Sequence, residues 1–217
     1  MIYKQSISVV VPIYNDSEVI HELIKRLSPV LESITADYEI ILVDDGSRDD
    51  SWLQMLAVRQ ANAFIKAVRL SRNFGQQSAI AAGLSLTSKE LIVLMDSDLQ
   101  DRPEDIPVLI DALLADEKAT MAIAQWEERK DSRLKLAVSR LFQRVSNSIT
   151  EIHTMPRLGI FRVMKKSVVE ELRNFPEKTA TTVSLLYYIG SRYVAVPLKR
   201  DARFAGKSGY NLSKMLS

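Results

Sequence analysis

Leu91-Ile92-Val93-Leu94-Met95-Asp96-Ser97-Asp98 ends an unbroken apolar run on two carboxylates spaced two residues apart. A short apolar run bounded by polar residues reads as a buried strand, and on an extended chain residues i and i+2 face the same way. Asp96 and Asp98 therefore leave the strand side by side. A hard cation such as Mg2+ is held by one or two carboxylates together with substrate phosphates, so the pair is a candidate metal site that points to a bound diphosphate. An isolated Asp-x-Asp is more often a solvated acidic turn, and the surrounding chain decides between the two.

Working outward, strand-like runs at Ile7–Val11, Tyr38–Val43 and Ile65–Leu70 precede this one, separated by helix-like stretches at Glu18–Leu31, Ser51–Asn62 and Gln76–Leu86. Such alternation predicts an α/β fold, a mostly parallel central sheet with helices on both faces. Strands covered on both faces read as continuous apolar runs, as these do. Ligands of such sheets bind at the carboxyl ends of the strands. The polar groups there are Tyr14-Asn15-Asp16, Asp44-Asp45-Gly46-Ser47, Ser71-Arg72-Asn73 and Asp96-Ser97-Asp98, and all four are expected along one edge. Asp101, with Glu104 three residues on, reads as the cap of a helix running through Leu114. Further strands are expected at Thr120–Ala124, near Phe161–Met164 and near Tyr193–Leu198. Further helices are expected at Leu134–Ile149, near Ser167–Arg173 and near Ala180–Ile189.

The 217 residues, 47% apolar and 26% charged, suit one sizeable core. No apolar run approaches the roughly 20 residues that cross a bilayer, and the first residues lack a signal-peptide pattern. A cytoplasmic location is the expectation. Without cysteine there is neither a disulfide nor a thiolate metal site. The net charge of +2 hides an asymmetry, since residues 1–117 hold 10 basic and 19 acidic side chains and residues 118–217 hold 19 and 8. A basic second half suits an anionic membrane surface or a phosphorylated substrate. Nucleic acid is not expected, because the basic residues are not interleaved with aromatics for base stacking. The absence of glycine-rich nucleotide fingerprints counts against an ATPase or a dehydrogenase. His21 and His153 stand apart and read as structural, and Met55, Met95, Met121 and Met164 as core; Trp52 and Trp126 could stack on a base or sugar, although burial is the commoner role.

Taken together, Val11-Pro12-Ile13-Tyr14-Asn15-Asp16, Asp44-Asp45-Gly46-Ser47, Leu70-Ser71-Arg72-Asn73-Phe74-Gly75 and Asp96-Ser97-Asp98-Leu99-Gln100-Asp101 occur in an order that resembles the inverting family 2 glycosyltransferases. More narrowly, with Phe161-Arg162-Val163-Met164, Phe175-Pro176-Glu177 and Arg203-Phe204-Ala205-Gly206-Lys207-Ser208, the chain resembles the polyprenyl-phosphate glycosyltransferases, among them dolichol-phosphate mannose synthases and bactoprenol glucosyltransferases. The resemblance implies a GT-A fold over residues 1–200, with a nucleotide-binding half (1–117) and an acceptor half (118–200), followed by a basic tail (201–217) that starts a juxtamembrane helix. It implies a UDP- or GDP-sugar donor, a Mg2+ or Mn2+ cofactor, a polyprenyl phosphate acceptor and action at the inner face of the cell membrane; homo-oligomerisation stays open.

The resemblance also assigns residues. Asp98 is implied as a direct metal ligand, with Asp96 beside the ribose or the metal. Gln100 lies beside the sugar or the acceptor phosphate. Pro12, Tyr14, Asp16, Asp44, Asp45, Ser97, Arg203 and Ser208 form the donor-binding set, in which Asp45 meets the base. Asp16 stands where the subgroup often has Glu. Arg129 and Arg133 approach the acceptor phosphate, and Arg162 and Lys207 lie near the phosphates. One position departs from the pattern: several bactoprenol glucosyltransferases carry Gly-Asp-Phe-Arg where this chain has Gly159-Ile160-Phe161-Arg162. Isoleucine cannot take a proton, whereas a phosphate monoester with a second pKa near 6 is largely dianionic at neutral pH and needs no strong base. The substitution thus favours a phosphate acceptor. A saccharide hydroxyl acceptor would need Asp101, Asp131 or Glu177 as base, and a catalytically silent nucleotide-binding module is the third reading.

Overall fold

The computed structural model describes residues 2–126, 158–174, 185–186 and 192–204. In chain order the elements are β1 (Ile7–Ile13), α1 (Ile20–Ile34), β2 (Tyr38–Asp44), α2 (Ser51–Ala61), β3 (Ile65–Arg69), α3 (Gln76–Ser85), β4 (Leu91–Leu94), a 3-10 turn (Pro103–Asp105), α4 (Ile106–Ala115), β5 (Met121–Trp126), β6 (Leu158–Lys165), α5 (Lys166–Asn174) and β7 (Tyr193–Leu198). Seven strands form one sheet in the order β3-β2-β1-β4-β6-β5-β7. Pairings from β3 to β4 are parallel, β6 runs antiparallel to both β4 and β5, and β7 is parallel to β5.

Two consequences of this order place the site. The chain winds from β1 outward through β2 and β3, then returns to lay β4 on the other side of β1, which makes the β1/β4 boundary the switch point where doubly wound sheets bind ligands. Because β6 alone is reversed, β7 points the same way as β4. The residues leaving β7 therefore emerge at the same edge as Asp96.

The strands pack on both faces, as their unbroken apolar runs require. Val9, Val11, Ile40 and Leu42 face one core with Leu23, Leu27 and Leu31 of α1, Met55 of α2 and Leu109 and Leu113 of α4. Val10, Ile41, Val43, Ile92 and Leu94 face the other with Ile80 and Leu84 of α3 and Val168 of α5. Arg173 near the end of α5 donates to Leu84 O (2.7 Å) and Thr87 O (2.8 Å), tying α5 to the end of α3. Met55, Met95, Met121 and Met164 are fully buried.

The expected α/β sheet with helices on both faces is present, with β5 and β6 longer than the predicted segments. The predicted Asp101 cap is not formed. Arg102 precedes the 3-10 turn, Asp105 precedes α4, and neither makes a side-chain cap bond. Glu104 instead receives a two-pronged bond from Arg26 of α1 (2.9 and 2.7 Å), and Asp101 turns inward to 1% exposure. The predicted helix at 134–149 lies outside the described residues, and of that near 180–189 only the buried Leu185 and Leu186 are described. Among the described residues no helix is long and apolar enough to cross a membrane.

Candidate active site

The four polar segments that leave β1 to β4 are stitched into one edge. After β1, Asn15 takes a left-handed backbone (φ 53°), its N–H donates to Ser47 Oγ (3.0 Å), and its Oδ1 accepts from Arg48 N–H (2.8 Å). Asp16 N–H donates to Ser51 Oγ (2.9 Å). Pro12 is buried in β1 opposite Val43, and the Tyr14 side chain is exposed at the rim. After β2, the fully buried Asp44 accepts Ser47 N–H (2.8 Å), closing the turn, while Arg69 Nε lies 3.0 Å from its other oxygen out of hydrogen-bond alignment. Asp45 is buried and accepts from the N–H groups of Phe74 (2.8 Å) and Gly75 (2.9 Å), so it ties the segment after β3 to the one after β2.

Beyond β4, Ser97 Oγ donates to Asp16 Oδ2, joining the exits of β1 and β4 across the switch point. Gln76 at the start of α3 donates its amide to Asp96 Oδ1 (2.7 Å). Leu99, buried, takes a left-handed backbone (φ 57°), and Gln100 N–H donates to Asp98 Oδ1 (3.1 Å). From the end of β7 two guanidinium groups arrive opposite. Arg203 Nη2 is 2.9 Å from Asp98 Oδ2, and Arg200 reaches Asp96 Oδ2 (3.7 Å) and Asp101 Oδ1 (3.4 Å).

Asp16, Asp96, Asp98 and Asp101 thus gather around two arginines, an excess of negative charge at low exposure. Burial, then Asp98, pushes the Asp96 carboxyl up to about 6, against the pull of Arg200 and the Gln76 hydrogen bond. Burial, then Asp96, pushes Asp101 up to about 7 against Arg200, and burial raises Asp16 against the Ser97 hydroxyl. Both oxygens of Asp101 are buried without an aligned hydrogen-bond partner. A cation would relieve this strain, and hard carboxylate oxygens are the donor set for Mg2+ or Mn2+. Among the described residues no group of three or more His, Cys, Asp or Glu side chains is arranged to hold a metal unaided.

The raised Asp101 carboxyl has a testable sign. It keeps its proton in the folded chain where the unfolded chain has lost it, so its stabilising contribution is present below the ordinary value of 3.8 and is lost as pH rises to about 7. Asp101→Asn should melt above wild type at about pH 8, with the gap closing near about pH 4. A wild type that outlasts the variant at high pH would mean that the Arg200 charge outweighs burial.

The structure brings together Asp16, Asp96, Ser97, Asp98, Gln100 and Arg203, with Tyr14 and Asp45 on the adjoining loops and Pro12 and Asp44 at the ends of β1 and β2. Arg129, Arg133, Lys207 and Ser208 lie outside the described residues, as do Asp131, Glu177 and His153. Arg162 is fully buried and donates to the carbonyls of Gly159 (2.8 Å) and Ile160 (2.9 Å). His21 pairs with Gln54 (2.7 Å) on the surface. Sequence reasoning missed Arg200 and Gln76, and it took Asp101 for a cap. The available signal was position: Arg200 is the second residue after an apolar strand that ends at the ligand edge.

The sequence matches the family model Glycosyl transferase family 2 over residues 8–173. It is 34% identical over 209 residues to a Synechocystis sp. protein named uncharacterized glycosyltransferase sll0501, covering 96% of this chain and 65% of that protein. It is equally identical to the uncharacterized glycosyltransferase YkcC of Bacillus subtilis, covering 96% and 64%. The chain therefore spans just under two thirds of the length of these relatives. Among solved structures it resembles glucosyl-3-phosphoglycerate synthase from Mycobacterium tuberculosis in complex with Mn2+ and UDP-glucose, with TM-score 0.70 at 20% identity over 98% of this chain and 74% of that one. The same synthase in complex with phosphoglyceric acid matches with TM-score 0.69 at 21% identity over 98% and 75%. These likenesses carry the GT-A fold, and the family model carries the rest: spanning the sheet from β1 into α5, it shows that the chain belongs to glycosyltransferase family 2.

Proposed function

We propose that this chain transfers a sugar from a nucleotide sugar to a polyprenyl phosphate, with inversion, using Mg2+ or Mn2+ at the cytosolic membrane face. The observation that carries the donor half is the carboxylate cluster at the β1/β4 switch point, faced by two arginines. Asp98 and Asp96 would hold the ion, which neutralises charge on the departing diphosphate. Gln76 and Ser97 orient Asp96 and Asp16, and Arg203 offers a planar guanidinium suited to phosphate oxygens. In the reaction an acceptor oxygen forms a bond to the anomeric carbon as the bond to the diphosphate breaks, and the nucleoside diphosphate leaves with the electron pair. The solved synthase crystallised with Mn2+ and UDP-glucose supports this choice of donor and ion.

For the acceptor, support comes from what the site lacks as a base among the described residues. Ile160 packs against the second core, and the Asp101 carboxyl is buried beneath Arg200. A dianionic phosphate needs no deprotonation. The basic second half of the chain supports action at an anionic membrane surface. A hydroxyl acceptor is the second reading, favoured by the fold likeness to a synthase crystallised with phosphoglyceric acid. One assay separates them: UDP- and GDP-sugars are offered with undecaprenyl phosphate, an oligosaccharide panel or phosphoglycerate. Label in the lipid fraction is the expected result. Label in a saccharide or in phosphoglycerate, with the lipid unmodified, would overturn the phosphate acceptor.

A further inference from the structure

The segment leaving β7 lies directly on the loop leaving β4. Asp201 N–H donates to Gln100 O (3.1 Å), Phe204 N–H donates to Asp98 O (3.3 Å), and Gln100 Nε2 donates to Asp201 O (3.4 Å). These bonds set Arg200 and Arg203 over the carboxylates, yet the two arginines are held differently. Arg200 is shared between Asp96 and Asp101, and its guanidinium lies over the Trp126 ring, 5.2 Å from the centroid. Asp101, 1% exposed, has no counter-charge closer than Arg200 among the described residues. Arg203 makes its ion pair with Asp98 Oδ2 alone among the described residues, and its side chain is 32% exposed.

We propose that Arg203 is an exchangeable counter-ion: it occupies the Asp98 oxygen that a divalent cation needs and yields it when a diphosphate arrives to take the guanidinium, so that metal and nucleoside diphosphate bind as a coupled pair. The inference rests on reading Asp96 and Asp98 as the metal-dependent donor site, and it adds how that site is loaded. A guanidinium and a metal ion cannot share the same lone pairs, and a displaced Arg203 left beside a bound dication is repelled by it. A diphosphate removes that penalty, because its oxygens match the fork of the guanidinium in charge and shape. Arg200 stays, since it is shared between Asp96 and Asp101 and packed over the Trp126 ring. By linkage, whatever factor the diphosphate adds to metal affinity, the metal returns to the diphosphate.

The test reads free Mn2+ by electron paramagnetic resonance, for protein alone and with saturating UDP or GDP, corrected for Mn2+ held by the nucleotide itself. Wild type, Arg203→Gln, Arg203→Lys and Arg200→Gln are compared after melting curves confirm that each is folded. Arg200→Gln removes the same charge nearby and so measures the general electrostatic gain. The expected result is that Arg203→Gln binds Mn2+ alone about tenfold more tightly than wild type, beyond the gain of Arg200→Gln, and loses about tenfold of the nucleotide-dependent enhancement. Arg203→Lys, which retains the charge, should fall between the two. Mn2+ binding that needs nucleotide in wild type but is no tighter in Arg203→Gln than in Arg200→Gln overturns the exchange and leaves the donor site standing. No Mn2+ bound to any variant, with either nucleotide, overturns both together.

Discussion

Asp98→Ala is expected to lower kcat/KM for sugar transfer by about a thousandfold or more, the scale at which a preorganised charge-stabilising group acts in other enzymes. The size follows from what Asp98 does in this site. It is 7% exposed, its Oδ1 is fixed by Gln100 N–H, and its Oδ2 is the oxygen paired with Arg203. Removing the carboxylate takes away the proposed anchor of the ion and the partner that positions Arg203. It also removes a like charge beside Asp96, so the fold should not suffer. Asp98→Asn keeps the shape and the Gln100 contact but loses the charge, and it should be nearly as inactive. Steady-state kinetics beside thermal melts decide the matter. Full activity of a folded Asp98→Ala in the presence of Mg2+ would remove this residue from the metal site.

Gly46→Ala is expected to be the most damaging single-methyl change at the ligand edge, costing about 3–5 kcal/mol when backbone strain and overpacking are combined. Gly46 has φ 68°, and a Cβ there would lie 2.4 Å from the Arg72 carbonyl carbon and 2.5 Å from Asn73 N. Backbone cannot swing aside as a side-chain tip does. The segment that would have to move carries Phe74 and Gly75, whose amides are held by Asp45. Donor binding should therefore weaken along with stability. Gly75→Ala is the control: φ is 94°, but no atom lies within 4 Å of its Cβ, so only the backbone strain remains. Chemical denaturation of both variants gives the comparison. Equal losses would show that the close approach of the two loops is not a constraint.

What could be read from the sequence, and what could not, divides along physical lines. The unbroken runs Ile7–Val11, Tyr38–Val43 and Leu91–Met95 announce strands buried on both faces, because burial selects side chains residue by residue. With parallel strands established, the convergence of Asp16, Asp45 and Asp98 on one edge follows from connectivity alone. Asp101 was misread because Asp-x-x-Glu is a local capping signature, whereas here both carboxylates serve distant partners, Arg26 of α1 and Arg200 beyond β7. Arg200 and Gln76 escaped for a similar reason. Their roles depend on β7 running parallel to β5 and on α3 starting beside β4, and no local pattern encodes either. The reversed β6, which aims β7 at the Asp96–Asp98 loop, is likewise a matter of long-range pairing.

The switch-point carboxylates are proposed to bind a nucleoside diphosphate through a divalent cation. Calorimetric titration of UDP and of GDP into the protein, once with Mn2+ and once with EDTA, tests it most directly. Saturable binding of one of the two nucleotides is expected with Mn2+, and its loss in EDTA. Equal affinity in EDTA, or no binding of either nucleotide with the metal present, would contradict it.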